Sequence, residues 1–316
     1  MPSRTGHRPK LAQNFLLSTN IGLERMYLTG FADEAAQDLA GQIKATKALG
    51  WNAIESRSID GQNIHDISDA AFDAVCEQLE NSGVSINCFG STIANWGKNI
   101  EDPFDITLVE IERAIPRMRR LGTKLVRIMS YARCKGDDQH AEERFRRLRE
   151  IVRLFNQAGI TPVHENCMNF GGMSWQHSLQ MVEAVPNLKL VFDTGNPVIT
   201  KDWSNGETEH QDPYEFYKHI RPHIAYVHIK DVVMDGDKED YKYPNEGHGR
   251  VLDVLKNLKE TGYDGGISIE PHMAAVFHNP DAFRTNAQES YDIYINYGRR
   301  LIAMLDDLSY ESSAFE

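Results

Sequence analysis

The sequence has few cysteines, no long apolar run and no excess of basic residues, and each absence argues against a class of protein. Its 4 cysteines form no CxxC pair and show no zinc-ribbon spacing, so reduced thiols are expected. No apolar run approaches the roughly 18 residues that span a bilayer, so no membrane association is expected. Lys and Arg number 34 against 46 Asp and Glu, and at a formal net charge of -12 no nucleic-acid partner is expected.

Both ends of the chain are predicted to be tails. Residues 1–24 are polar and basic, and their longest apolar run is too short for the core of a signal peptide, which favours a cytoplasmic protein. Residues 307–316 are polar and acidic. Residues 25–306 contain no linker rich in Pro, Gly or Ser, so we expect a single catalytic domain there.

Short apolar runs alternate regularly with longer amphipathic segments through this domain. The intervening segments carry apolar residues at helical spacing, and three of them close at a glycine, namely Gly50, Gly83 and Gly159. Strand–helix units in succession predict parallel strands with crossover helices. The eight predicted strands are residues 27–32, 52–55, 84–90, 124–130, 160–165, 188–193, 224–230 and 266–270.

Two α/β architectures fit eight such units: an open doubly wound sheet and a closed (β/α)8 TIM barrel. The number of units and a span close to the ~250 residues typical of the barrel favour closure. The dinucleotide fold needs three glycines after its first strand, and GFADEAAQ has one. We therefore predict a single-domain TIM barrel. The polar stretch at residues 231–250 predicts an irregular loop that closes over the site.

Ionisable residues stand where four consecutive predicted strands end: Glu165, Asp193, His228 and Glu270. The carboxyl ends of barrel strands converge on the active site, and like charges there repel unless a cation lies among them. Three carboxylates and one imidazole suit one divalent metal ion, with Mn²⁺ or Mg²⁺ favoured by the oxygens and Co²⁺ or Zn²⁺ allowed by the histidine. Considered one at a time, Glu165 and Glu270 could instead be surface residues that cap strand ends, and His228 could be a hydrogen-bonded histidine of the core.

Other polar residues near the strand ends are candidates for binding a substrate. Lys230 shares a strand face with His228, so it is either a pocket residue or a solvated loop lysine. His164 alternates with Glu165 and should face the helices. The predicted substrate-binding residues are Glu55, Asn166, Asn196, Lys230, His248 and Arg250.

Five segments together resemble the xylose isomerase-like TIM-barrel family: ALGWNAIE, VHENCMNFGGMSW, VFDTGNP, YVHIKD and NEGHGRVLDVLKNLKETGYDGGISIEPH. That family contains sugar and sugar-phosphate isomerases and epimerases, similar to D-tagatose 3-epimerase and hydroxypyruvate isomerase, and also inosose dehydratase. The resemblance implies a metal-dependent isomerase or epimerase of a ketose or a related small sugar. It also implies proton abstraction next to a carbonyl, through an enediolate that a metal stabilises.

The same resemblance assigns roles to the predicted residues. It makes Glu165 and Glu270 the catalytic residues, one removing a proton and the other returning it, while both hold the metal together with Asp193 and His228. Mn²⁺ is the expected ion, with Mg²⁺, Co²⁺ or Zn²⁺ as alternatives. The barrels of this family often associate, so a homodimer or homotetramer is expected.

The chain departs from the ketose epimerases at two positions. They carry a histidine where this chain has Asn196, and an arginine where it has Met234, with Arg250 as the candidate replacement. A dehydratase of an inosose or similar polyol ketone remains open, because it too begins with proton removal beside a carbonyl. An endonuclease on this barrel would need more histidine ligands than the one found here. A binding protein without catalysis is disfavoured by the complete ligand set.

Overall fold

The computed structural model describes residues 26–274 and 285–309. The predicted N-terminal tail, residues 1–24, lies outside the described residues, as do residues 310–316 of the predicted C-terminal tail. The strands are β1 (Tyr27–Gly30), β2 (Ala53–Ser56), β3 (Ser58–Ile59), β4 (Gln62–Asn63), β5 (Ser85–Gly90), β6 (Leu125–Ile128), β7 (Thr161–Glu165), β8 (Lys189–Asp193), β9 (Ile224–Ile229), β10 (Asp231–Asp235), β11 (Lys238–Lys242) and β12 (Gly266–Ile269).

The helices of the described residues follow the strands along the chain. They are α1 (Leu39–Ala48), α2 (Asp69–Ser82), α3 (Asp105–Leu121), α4 (Ala141–Gln157), α5 (Trp175–Ala184), α6 (Asn196–Ile199), α7 (Pro213–Ile220), α8 (Val251–Glu260) and α9 (Ala287–Asp307). Short 3-10 helices lie at Ala32–Glu34, Phe170–Gly172, Trp203–Asn205 and Arg221–His223. None of the described helices is long and apolar enough to cross a membrane.

Eight of the strands form one parallel sheet in the order β1-β12-β9-β8-β7-β6-β5-β2. The two edge strands, β1 and β2, meet through a parallel bridge between Phe31 and Glu55, so the sheet is a nearly closed barrel. All eight predicted strands are present, with ends within two residues of the predicted positions. The predicted TIM barrel is therefore confirmed.

The structure corrects the prediction of an irregular loop after the seventh barrel strand. Residues 231–242 form an antiparallel hairpin of β10 and β11. Val232 pairs with Tyr241 and both are buried. The exposed positions of this hairpin carry charged residues such as Asp235 and Lys238, so the short alternation was hidden in a polar sequence.

Local sequence explains how the helices begin and end. The Ser68 side chain accepts a hydrogen bond from the Ala71 backbone N–H and caps the start of α2. Gly83, at φ 72°, ends that helix in the left-handed conformation that favours glycine. The same kind of ending was predicted at Gly159, which follows α4 with φ 74°.

The apolar core has two layers, as a barrel requires. Inside the barrel, Cys88, Val163, Val191 and Tyr226 form a buried cluster. A larger apolar layer lies between the strands and the surrounding helices. Because apolar side chains fill the inside, the polar residues gather at the carboxyl ends of the strands.

Candidate metal centre

Four buried side chains meet at the carboxyl ends of neighbouring barrel strands. Glu165 ends β7, Asp193 ends β8, His228 is the penultimate residue of β9, and Glu270 follows β12. One potential ligand atom from each lies within 4.8 Å of the others. Strand register produces this meeting, because Asp193 and His228 are paired neighbours on β8 and β9. The structure thus brings the four predicted ligands together.

The distances around His228 fit a shared cation. Its Nδ1 lies 3.8 Å from Glu165 Oε1, 4.0 Å from Asp193 Oδ2 and 3.8 Å from Glu270 Oε2. These distances are too long for hydrogen bonds. Ligand atoms about 2.1 Å from one octahedral ion lie roughly 3 to 4.2 Å apart. In the described residues, His228 Nδ1 is buried without a hydrogen-bond partner. The donor set therefore fits a divalent metal ion.

Lys230 also lies in this cluster. Its Nζ is 3.1 Å from Asp193 Oδ2 and 3.0 Å from Glu270 Oε2, and the residue is 2% exposed. The alternative of a solvated loop lysine is therefore excluded. Lys230 lines the cavity above the cluster, as predicted for a pocket residue.

Two buried arginines, which the sequence analysis missed, each hold one of the two glutamates. Arg127 Nη1 lies 3.1 Å from Glu165 Oε2. Arg57 Nη1 lies 2.9 Å from Glu270 Oε1, and the same guanidinium contacts Asp33. A sequence signal existed for Arg127, because a charged residue inside the apolar run LVRI must find a buried partner.

A second group of potential ligands lies beside the first and consists of Glu34, Glu270 and His272. His272 Nδ1 is 3.1 Å from Glu34 Oε1. Arg57 contacts Glu34 at 3.1 Å and also Glu270. The chain itself thus supplies the positive charge at this second group.

Two predicted substrate-binding residues instead contact residues of the proposed metal-ligand set. Glu55 is fully buried, and its carboxylate lies 3.0 Å from His228 Nε2 rather than at the cavity wall. Asn166 bonds the backbone of Asp193 twice, donating to its carbonyl at 3.1 Å and accepting from its N–H at 2.7 Å. These positions correct the placement expected for both residues.

Asn196 has a mixed role, and the remaining two candidates lie elsewhere. Asn196 lines the cavity and donates from Nδ2 to Glu165 Oε1 at 3.1 Å. His248 is exposed, away from the cavity wall formed by the described residues. Arg250 is also exposed, and it pairs with Asp253 at 2.6 Å and lies over the Tyr214 ring. The structure therefore corrects the expectation that His248 and Arg250 reach the pocket.

Burial and neighbouring charges separate the pKa values of the cluster. Burial raises the pKa of Glu165, but the positive charges of Arg127 and His228 outweigh burial and lower it to about 2. Burial, opposed by Lys230, raises the pKa of Asp193 to about 7. Burial lowers the pKa of His228, but Glu55 and Glu165 raise it to about 10. Lys230, His272 and Arg57 overcome burial and hold the pKa of Glu270 well below its usual range.

A cavity of about 310 Å³ opens above the cluster. Glu165, Glu270 and Lys230 form part of its polar surface, while Trp96 and Met168 contribute apolar wall. This mixture of a charged floor and an apolar wall suits a small polyhydroxy compound that presents both hydroxyls and C–H faces.

Comparison with known proteins identifies a family that the chain matches. A family model of the xylose isomerase-like TIM barrel matches residues 43–292. Inosose dehydratase of Lacticaseibacillus casei is 25% identical over 124 residues, which is 34% of this chain and 39% of that protein. An uncharacterized protein of Methanocaldococcus jannaschii is 32% identical over 130 residues, 41% of this chain and 43% of that protein. The chain thus spans about two fifths of the length of these curated relatives.

Solved structures share the fold over most of the chain. A D-tagatose 3-epimerase-like protein has a TM-score of 0.66 at 19% identity, covering 90% of this chain and 98% of that one. The probable 3-DHS dehydratase AsbF of Bacillus anthracis has a TM-score of 0.64 at 16% identity, covering 88% and 98%. A xylose isomerase-like TIM barrel protein from Mycobacterium smegmatis, in complex with magnesium, has a TM-score of 0.64 at 15% identity. The match covers 90% of this chain and 98% of that one. At these identities the likeness shows the fold alone.

Proposed function

The chain belongs to the xylose isomerase-like TIM barrel family, and from this premise we propose that it is a metal-dependent isomerase or epimerase of a small ketose. The observation that carries the proposal is the meeting of Glu165, Asp193, His228 and Glu270 within 4.8 Å. Mn²⁺ is the proposed ion, with Mg²⁺, Co²⁺ and Zn²⁺ as alternatives, because three of the four donors are carboxylates.

The bound ion would polarise the substrate carbonyl and so make the neighbouring C–H group more acidic. Glu165 and Glu270 stand at opposite ends of the ligand row, since β8 and β9 separate β7 from β12 in the sheet. Their placement allows one glutamate to remove the proton and the other to deliver a proton at the opposite face or the adjacent carbon. That arrangement is what epimerisation or isomerisation requires.

The arginines keep both glutamates in the form that a base needs. Arg127 beside Glu165 and Arg57 beside Glu270 favour the ionised carboxylates. A carboxylate with a pKa of about 2, as for Glu165, is a weak base. Polarisation of the carbonyl would therefore supply most of the reduction of the barrier, because a positioned base contributes only about 10²–10⁴-fold.

A dehydratase is the second candidate, and Lys230 is the observation that favours it. Its Nζ lies 3.0 Å from Glu270 Oε2 at the cavity surface. After a glutamate removes the proton from the carbon beside the carbonyl, the electron pair left there would form a C=C bond with the next carbon, and the C–O bond of the hydroxyl on that carbon would break. Lys230 would then donate a proton to the departing oxygen, which leaves as water. The partial match to inosose dehydratase also supports this candidate.

The test follows solvent exchange and product formation with Mn²⁺-loaded protein in heavy water. Ketoses and inososes are supplied, and NMR detects deuterium at the carbon next to the carbonyl. Mass spectrometry detects the loss of one water. We expect metal-dependent exchange, and at least ~100-fold slower exchange in Glu165→Gln and Glu270→Gln, because each removes a positioned carboxylate.

Glu150→Gln is the matched control, since Glu150 makes a surface ion pair with Arg153 on α4 and does not line the cavity. It should react at the wild-type rate. Wild-type exchange in either site variant would contradict the assignment of the two glutamates. Loss of water without isomerised product would select the dehydratase.

A further inference from the structure

Glu55 lies below the ligand row, out of contact with the cavity. Its Oε1 and Oε2 lie 3.2 Å and 3.0 Å from His228 Nε2. The side chain is fully buried, and Glu55 is absent from the cavity wall of the described residues. An ionised carboxylate buried without a partner costs several kcal/mol. His228 supplies that partner.

The barrel is irregular where it presents this carboxylate. Ile54 pairs with Ile86 on β5, but Glu55 pairs with Cys88, so the register shifts between Ile54 and Glu55. Asn87 is the extra residue on β5. Such bulges re-aim side chains and are common next to active sites. The irregularity therefore fits a carboxylate that is directed across the barrel, from β2 to β9.

The imidazole ring of His228 is fixed from its sides as well. Phe31 meets it edge-on at 5.1 Å and 73°, and Tyr226 does so at 5.6 Å and 80°. With Nε2 directed to Glu55, the opposite nitrogen, Nδ1, faces the three carboxylates of the cluster. The ring orientation thus separates the two nitrogens into one that faces Glu55 and one that faces the proposed metal.

We propose that Glu55 is a positioning residue that accepts the Nε2–H of His228 and leaves Nδ1 as the metal-binding nitrogen. The proposal rests on the proposed function, because it requires that the cluster hold a metal. A neutral imidazole carries one N–H and one lone pair, so a proton fixed at Nε2 places the lone pair at Nδ1. A carboxylate partner also makes the imidazole a stronger ligand.

The experiment compares Co²⁺ binding by metal-stripped wild type, Glu55→Leu, Glu55→Gln and Ser56→Ala. We expect Glu55→Leu to bind Co²⁺ about 10- to 100-fold more weakly and to show an altered Co²⁺ absorption spectrum. Glu55→Gln should recover most of the affinity, since its amide oxygen accepts the same N–H. Ser56, the next residue on β2, is buried, and its hydroxyl has no hydrogen-bond partner in the described residues. Ser56→Ala is therefore the matched control and should bind as wild type does.

A measurement on the wild type decides the question even where Glu55→Leu fails to fold. Nitrogen NMR of isotope-labelled histidine in the Zn²⁺-loaded protein should show His228 protonated at Nε2 and metal-bound at Nδ1. Protonation at Nδ1, or a folded Glu55→Leu with wild-type Co²⁺ affinity, overturns the role of Glu55 and leaves the proposed function standing. A wild type that binds neither ion overturns both.

Discussion

Asp193 and His228 occupy neighbouring strands but hold their protons over different pH ranges. In the metal-free protein, the pKa of Asp193 is about 7, chiefly because it is buried, and the pKa of His228 is raised to about 10 against burial by Glu55 and Glu165. A metal ion needs the ionised carboxylate and an unprotonated Nδ1. Binding must therefore expel one proton from His228 below pH 10, and a second proton from Asp193 below pH 7.

From this proton count, we predict that metal affinity rises with pH in two regimes. Between pH 7 and 10 only the His228 proton is displaced, so affinity should rise about tenfold per pH unit. Below pH 7 two protons are displaced, and the rise should approach about 100-fold per unit. Competition with a chromophoric chelator measures the Mn²⁺ dissociation constant at each pH. An affinity that stays constant from about pH 6 to pH 8 would contradict these protonation states.

The segment NEGHGR follows the hairpin, and its two glycines bring the backbone close to Asp231 at the start of that hairpin. The buried Asp231 carboxylate accepts hydrogen bonds from the backbone N–H groups of Gly247 at 3.0 Å and Gly249 at 2.7 Å. A Cβ at Gly247 would lie 2.7 Å from the Val232 backbone nitrogen and would also meet Asp231. Close approach of backbone, and not an unusual φ, is what requires glycine there.

We therefore predict that Gly247→Ala lowers the free energy of unfolding by about 1–3 kcal/mol, because overpacking forces the backbone of the segment away from Asp231. Urea unfolding measures the change. Gly97→Ala is the matched control, since its Cβ would have 3.4 Å to the nearest atom, an ordinary contact. Equal stability of the two variants would show that the segment can shift without cost.

The elements could be predicted largely from sequence because each barrel strand is a short apolar run that ends in a polar residue. The four proposed metal ligands followed from the same pattern, since the carboxyl ends of parallel strands converge. Glu55 could not be assigned correctly, because its partner His228 is 173 residues away and only the closed barrel joins them. The prediction that Arg250 reaches the pocket was wrong for a related reason. Its local partner Asp253, three residues further along the chain, holds Arg250 at the surface.

At the scale of the whole molecule, the metal would connect a large part of the barrel. Its four ligands come from β7, β8, β9 and the residue after β12, which are consecutive in the sheet. The described residues agree with one barrel, whereas the tail boundaries, the cytoplasmic location and the homodimer or homotetramer remain predictions. Anything that binds the folded chain alone stabilises it by mass action.

We predict that Mn²⁺ raises the thermal midpoint and that a chelator lowers it again. At a concentration 100 times the dissociation constant, the gain is about 2.7 kcal/mol, or roughly 4–5 °C for a domain of this size. Differential scanning fluorimetry over a Mn²⁺ titration measures the shift. Asp193→Asn should show little of it. A midpoint unchanged up to millimolar Mn²⁺, Co²⁺ and Zn²⁺ would count against the metal centre.

The bridge between Phe31 and Glu55 has one more consequence, because Glu55 is also the residue that faces His228. Glu55 therefore helps to close the seam of the barrel, which is the junction of β1 and β2, and its carboxylate also faces His228. Any breathing that parts β1 from β2 would also draw that carboxylate away from the imidazole. An opened seam would therefore weaken the support of one of the four proposed metal ligands.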